Sequence, residues 1–277
     1  MKALQFRRQE LRFAAAAVGS RLFGSDGARL SPLRLADIDP PELPGPGWQR
    51  VRPRLSGICG SDLATISAEA SRYFEPWVSF PFVPGHEVVG ELDDGSRVVL
   101  EPVLGHEARG FPPPWPGAAP GDGDDYGHLA AGDLEPGIQT GYCASTGGGW
   151  SLGFVAHESQ LHPVPDGLSD EAAVMIEPSA VAVHAALRAG LGSGAATVAV
   201  IGAGTMGLLT VAALRHLVPD CHVIVGAKYS HQRDLARQLG ADMVVEPAGL
   251  ARAVRRAVGC RMAVSYTHLT LPTILRV

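Results

Sequence analysis

The second half of the chain alternates short apolar runs with stretches in which apolar residues recur every third or fourth position. "ATVAVIGAGTMGLLTVAALRHL" (residues 196–217) joins a Val-rich run to a glycine turn and then to a segment of helical period. "CHVIV" (221–225), "HQRDLARQLG" (231–240), "MVV" (243–245) and "GLARAVRRAVG" (249–259) continue the alternation. Strand followed by helix three times over predicts a parallel, doubly wound sheet, because parallel neighbours need a crossover connection. A further helix is predicted ahead of it, with Ser169 as N-cap, Asp170 and Glu171 in the first turn, and Gly190 and Gly192 beyond its end. Pro178 is expected to kink that helix.

The first half has a different texture. "EVVGELDDGSRVVLEP" (87–102) predicts a hairpin, two Val-rich strands joined through Asp94-Gly95, since this pair supplies the positive φ of a tight turn. Residues 105–150 hold many Gly and Pro and little periodicity, which predicts a long lobe or loop rather than packed core. At the N-terminus, the apolar run Phe13 to Val18 is shorter than the roughly 7–15 residues of a secretory core, so the segment reads as mature sequence. No window approaches the roughly 18 apolar residues of a membrane span.

Composition narrows the function. With 277 residues, 46% of them hydrophobic and 18% charged, the chain is long enough for a substantial core in one or two globular domains. A net charge of −5 gives no electrostatic reason to expect nucleic acid or a membrane surface, so a small molecule is the expected partner. Cys59, Cys143, Cys221 and Cys260 lie far apart with no paired framework, which points to a reduced, cytoplasmic protein.

Two constellations carry chemistry. Gly202, Gly204 and Gly207, with Thr205 and Met206 between the last two, form G-x-G-x-x-G between a predicted strand and a predicted helix. In that context the first glycine permits the turn, the second lets a pyrophosphate approach the backbone, and the third lets helix pack on strand. About twenty residues on, where an NAD site usually places an acid, the chain reads Gly226-Ala227-Lys228-Tyr229. Lys228, with Ser230 or Arg233, would neutralise a 2′-phosphate, so NADP is favoured over NAD; the alternative is a solvated loop lysine. The second constellation is Cys59 in "SGICGSDLATI", with His86 and Glu87 at the start of a strand. Alone, Cys59 leaves a metal ligand, a nucleophile and a small buried apolar residue open, and a lone cysteine or histidine is more often core or surface than ligand.

In order, "GICGSD", "PFVPGHEVVG", "VVLEP", "MIEPSAVAVHAALRAG" and the glycine fingerprint resemble the medium-chain zinc-dependent alcohol dehydrogenase family, above all its polyol, threonine and glucose dehydrogenase branch. The likeness runs from residue 1 to about 263. It implies an α/β fold: a β-rich GroES-like catalytic domain over 1–166, then a partial Rossmann domain, the doubly wound parallel sheet, over 167–263. It makes Cys59 and His86 ligands of one catalytic Zn2+, Glu87 a neighbouring carboxylate able to coordinate, and Glu177 a further one. Ser61 would relay the alcohol proton and Asp62 would orient the ligand histidine. Hydride would pass between an alcohol, such as a polyol or sugar, and NAD(P), in a protein that is a homo-oligomer when full length.

The chain also departs from that family. Ala64 stands where a relay histidine is usual, and the four places of the structural zinc fall near Pro112, Trp115, Ala118 and Tyr126, so that zinc is expected to be absent. Cys143 reads as structural. Two alternatives compete with the dehydrogenase: a zinc-free quinone-reductase-like NADPH oxidoreductase, and a non-catalytic nucleotide-binding relative. Finally, "VSYTHLTLPT" within residues 264–277 resembles the in-frame translation of a sequencing adaptor. That stretch is expected to be a non-native tail, and a chain interrupted near Ala263 is expected to be inactive, since nothing would hold the nicotinamide.

Overall fold

The computed structural model describes residues 1–191 and 196–260, so Gly192, the surroundings of Ala263 and the suspected tail lie outside the described residues. The chain divides into two compact units, Met1–Glu177 and the part from Pro178 onward.

In the first unit, β1 (Lys2–Phe6) pairs antiparallel with β2 (Leu33–Asp37), and α1 (Glu10–Phe23) lies between them in sequence. A five-stranded antiparallel sheet is built from β3 (Trp48–Ser56), β4 (Val88–Glu91), β5 (Arg97–Leu100), β6 (Phe154–His157) and β7 (Leu161–Pro163), in the order β6-β3-β4-β5-β7. β4 and β5 form the hairpin predicted from their Val runs, with Val89 opposite Val99. Gly95 takes φ +88° in the turn, and Asp94 Oδ1 accepts from the Ser96 N–H at 2.8 Å. Both faces of this sheet are covered, which is why the runs are continuously apolar rather than alternating. Val88, Val98 and Leu100 pack with Val51 and Phe154, whereas Val89 and Val99 pack with Val164 and Ala173.

The described residues of the 105–150 lobe form only two short 3-10 turns, Glu107–Arg109 and Gly127–Ala130. The expectation that the lobe stands apart from packed core is corrected at its ends. Leu104, Ala108, Leu134 and Cys143 are buried together with Trp48 and Val155. Gly and Pro interrupt periodicity without preventing burial.

Ser169 caps α3 (Asp170–Ala173), its Oγ accepting from the Ala172 N–H at 3.3 Å. The helix breaks and resumes as α4 (Ile176–Arg188). The break at Val174–Met175 lies one turn before Pro178, at the carbonyl that the proline ring displaces and whose donor it lacks. Pro178 itself sits in the first turn of α4, where a missing N–H costs little.

In the second unit β8 (Thr197–Ile201), β9 (His222–Gly226) and β10 (Met243–Val245) make a parallel sheet in the order β10-β9-β8. The crossover helices are α5 (Thr205–Leu217) and α6 (Ser230–Gln238), with α7 (Pro247–Ala257) following β10. Val200, Val211, Leu214, Val223, Val225 and Ala236 share its core. The strand-helix alternation read from periodicity is the alternation seen.

Candidate active site

The stretch around Cys59 is the start of a short helix, α2 (Gly60–Ile66), with Cys59 as its extended N-cap residue. Asp62, three residues on, turns its carboxylate back, and Oδ2 accepts from the Cys59 N–H at 3.0 Å. That bond accounts for one oxygen of a side chain only 1% exposed. The other, Oδ1, has no hydrogen-bond partner and faces His86 Nδ1, also without one, at 3.6 Å. His86 is 5% exposed and stands just before β4. Gly85 delivers it there at φ +95°, where a side chain would run into Trp150 and Ser56.

Glu87 lies over Gly57, so closely that a Cβ on Gly57 would overlap its carboxylate. The backbone locks this approach, since the Gly57 N–H donates to the Glu87 carbonyl at 2.8 Å and Trp150 Nε1 donates to the Gly57 carbonyl at 3.1 Å. As a result, ligand atoms of Cys59, His86 and Glu87 all lie within 4.8 Å of one another. Sulfur, nitrogen and oxygen donors in a cluster of three are the donor set of a catalytic zinc, which keeps its fourth position open. With Nδ1 turned to Asp62, the other ring nitrogen of His86 is left for the metal, the usual division of labour at a ligating histidine. The residues therefore fit a zinc ion.

The local charges respond strongly to one another. Burial disfavours the charged form of His86, yet the Asp62 carboxylate facing it and then the Cys59 sulfur outweigh burial and push the imidazole up to about 10. His86 in turn draws the Cys59 thiol below its ordinary value, against burial and with help from Ser61. Glu177 is raised, first by burial, with His86 opposing and Glu87 and Asp62 adding to it. Glu177 is not among the three clustered donors, but it shares with His86 and Ser61 a cavity of about 900 Å³.

One residue of this site escaped the sequence reading. The Tyr142 hydroxyl lies 3.0 Å from Thr65 Oγ1, which itself donates to the Ser61 carbonyl at 2.9 Å. Its ring sits 6.2 Å from the His86 ring, and Ser61 is within hydrogen-bonding reach of the phenol. Burial raises the Tyr142 phenol above its ordinary range. Nothing local in "TGYCAST" links Tyr142 to Thr65, 77 positions away. Ala64 lines the same cavity with a methyl group where the resemblance has an imidazole.

In the second unit the glycine turn separates two requirements. A Cβ on Gly207 would strike the Gly202 carbonyl, and Gly202 takes φ +97°, so both glycines are demanded by the fold. At Gly204 a Cβ would meet nothing within 4 Å, so its bareness leaves room for an outside group rather than for the protein. That cradle, with Thr205 and Met206 opening α5, fits a pyrophosphate at a helix N-terminus. Past β9, Lys228 is exposed and holds its Nζ 5.2 Å over the Tyr229 ring. Arg233 Nη1 turns back to the carbonyls of Ala227 and Lys228, at 3.3 and 2.8 Å.

Residues 45–166 match the alcohol dehydrogenase GroES-like domain, and residues 166–247 match the TrkA-N domain. The chain is 30% identical over 250 residues to sorbitol dehydrogenase of Pongo abelii, covering 84% of this chain and 64% of that protein. It is 28% identical over 268 residues to (R,R)-butanediol dehydrogenase of Bacillus subtilis, covering 88% and 69%. The crystal structure of 2R,3R-butanediol dehydrogenase from Bacillus subtilis superposes with a TM-score of 0.63 at 24% identity, covering 93% of this chain and 67% of that one. The chain thus spans 64% of the length of the sorbitol dehydrogenases it matches. Its fold is a GroES-like unit joined to a Rossmann-type α/β unit. The GroES-like match and the run of sorbitol, butanediol and threonine dehydrogenase relatives support the medium-chain zinc-type alcohol dehydrogenase family, polyol dehydrogenase branch, as the family this chain resembles.

Proposed function

We propose that this protein is a zinc-dependent, NAD(P)-linked alcohol dehydrogenase whose catalytic residues lie in 1–166 and whose nucleotide is held by 167–263, with Glu177 added from the start of α4. The observation that carries the reading is the buried, mutually unsatisfied pair Asp62 Oδ1 and His86 Nδ1 beside Cys59 and Glu87. A fold that buries such atoms without partners loses about 1–3 kcal/mol for each, a loss that makes sense where a bound cation and a held imidazole complete the arrangement. Neither a zinc-free reductase nor a plain nucleotide-binding protein has use for it.

Cys59, His86 and Glu87 would hold the zinc, with Glu177 as a further carboxylate in the cavity. When bound there, zinc polarises an alcohol or carbonyl oxygen and makes a hydroxyl far more acidic. This chain's own residues do the rest. Asp62 keeps the His86 ring in one orientation. Ser61 faces the cavity and takes the alcohol proton, and Tyr142 and Thr65 pass it on in place of the missing imidazole at Ala64. A nicotinamide held beside the site would accept the hydride from the substrate carbon, while Ser61 takes the proton from its oxygen. The open approach at Gly204 seats the pyrophosphate. Ala227 followed by Lys228 supports NADP over NAD, since no carboxylate there repels a 2′-phosphate.

The partner is a small alcohol or carbonyl compound, and among the described residues no helix is long and apolar enough to cross a membrane. All four cysteines are free, which supports residence in a reducing cytoplasm. The full gene product acts as a homo-oligomer in this reading. The test is elemental analysis of chelator-washed protein together with alcohol-dependent NADP reduction by the product of the uninterrupted gene. One zinc per chain is expected, lost in Cys59→Ala and His86→Ala along with turnover. Two equivalents or none would defeat the metal assignment, and faster turnover with NAD would defeat the cofactor preference.

A further inference from the structure

We infer that the cavity beside the candidate zinc site selects alcohols with a bulky apolar or aromatic body, rather than polyols; this rests on the dehydrogenase reading above. The wall leading to His86 is a continuous run of rings. Phe80 and Phe6 lie 5.4 and 5.2 Å from Phe82, Phe82 lies 5.1 Å from Tyr142, and Tyr142 lies 6.2 Å from His86, centroid to centroid. Phe13 from α1 and Phe74 line the same space.

Several polar side chains of this cavity are already engaged, while the half-buried Gln139 and the exposed Arg8, Gln9, Glu10 and Glu69 also line it. Thr65 and Tyr142 share a hydrogen bond, and Ser71 Oγ accepts from the Tyr73 N–H. Both Nε and Nη2 of Arg72 donate to Glu75, at 3.0 and 2.8 Å, and Arg7 Nε donates to Gln5 at 2.9 Å. A sugar alcohol brings a hydroxyl on every carbon, and each one set against phenyl rings without a partner costs about 1–3 kcal/mol. An aryl or long alkyl group meets the opposite balance, since it exchanges water for rings that stack or meet edge-on.

Binding separates this inference from the reading beneath it. The zinc-loaded product of the uninterrupted gene is titrated calorimetrically with 1-phenylethanol and 4-phenyl-2-butanol, and in parallel with sorbitol and 2,3-butanediol, and each alcohol is then offered with NADP and with NAD. The aryl alcohols are expected to bind at least about tenfold tighter than either polyol, the scale on which an apolar pocket discriminates by size. Phe13→Gln and Phe74→Gln, each in a partly exposed ring, are expected to weaken aryl-alcohol binding about three- to tenfold while zinc content stays the same. Tighter binding and faster oxidation of sorbitol or butanediol would overturn the substrate class and leave the dehydrogenase standing. Binding and turnover of neither series by zinc-loaded protein would overturn both.

Discussion

Arg109 and the Asp62–His86 pair are both buried charge in the first unit, and the fold treats them in opposite ways. Arg109 is 1% exposed and donates to four backbone carbonyls: Leu104 at 3.3 Å, Ala131 at 3.0 Å, Glu135 at 3.3 Å and Gly137 at 2.6 Å. It ties the start of the 105–150 lobe to residues 131–137, and its fork of donors suits several carbonyls at once. Asp62 Oδ1 and His86 Nδ1 face each other at 3.6 Å with no bond completed. The difference teaches what each charge is for. A group whose hydrogen bonds are all made within the chain holds the fold, whereas a buried group left incomplete beside three clustered donors awaits something from outside.

The comparison breaks first, if it breaks, at Arg109. Arg109→Met strips the donor from four carbonyls at once, and a loss of about 3–5 kcal/mol is expected by urea unfolding, as for other disrupted buried polar networks. A loss below about 1 kcal/mol would mean that the lobe does not depend on it. Asp62→Asn asks the converse question at the other pair, since it keeps an oxygen for the Cys59 N–H but weakens the hold on the imidazole. Zinc affinity is expected to fall about 10–100-fold by competition with a chromophoric chelator, while the metal-free protein changes by less than about 1 kcal/mol.

Tyr142→Phe sharpens the functional half. It removes the hydroxyl next to Thr65 and Ser61 and nothing else, so kcat is expected to fall about 10–100-fold, at the low end of an acid-base effect, with zinc content unchanged. The smallest effect belongs to charge at the surface. Arg54 and then Arg97 hold the Asp170 carboxyl below its ordinary 3.8. A lowered carboxylate contributes stability above its ordinary value and loses it as pH falls through the folded one. Arg97→Met should therefore move the acid-unfolding midpoint slightly upward in pH, and added salt should shrink the difference, because solvent screens this pair.

How much was legible follows the range of the forces involved. The β4–β5 hairpin, the Ser169 cap, the interruption one turn before Pro178 and the turn at Gly202 each depend on neighbours within a few residues, and each was expected from the chain. The packed ends of the 105–150 lobe were not, because their burial is decided by Trp48 and Val155 from distant strands. Arg109 looked like any loop arginine, since backbone carbonyls leave no mark in a sequence. Tyr142 stayed hidden because its partner Thr65 lies 77 positions away.

By itself the sequence determined the residue types and the local conformations: a thiol at a helix start, His-Glu ahead of a Val-rich strand, glycines where φ turns positive or helix meets strand, and an alternation that permits only a parallel sheet. Only the tertiary structure decided that Cys59, His86 and Glu87 converge within 4.8 Å, that Asp62 and His86 are left facing each other, and that a run of phenyl rings ends at the same imidazole. Local conformation follows from sterics and short hydrogen bonds that act within a few residues. Convergence follows from burying apolar surface contributed by segments far apart in the chain, and that non-directional force carries no local signature.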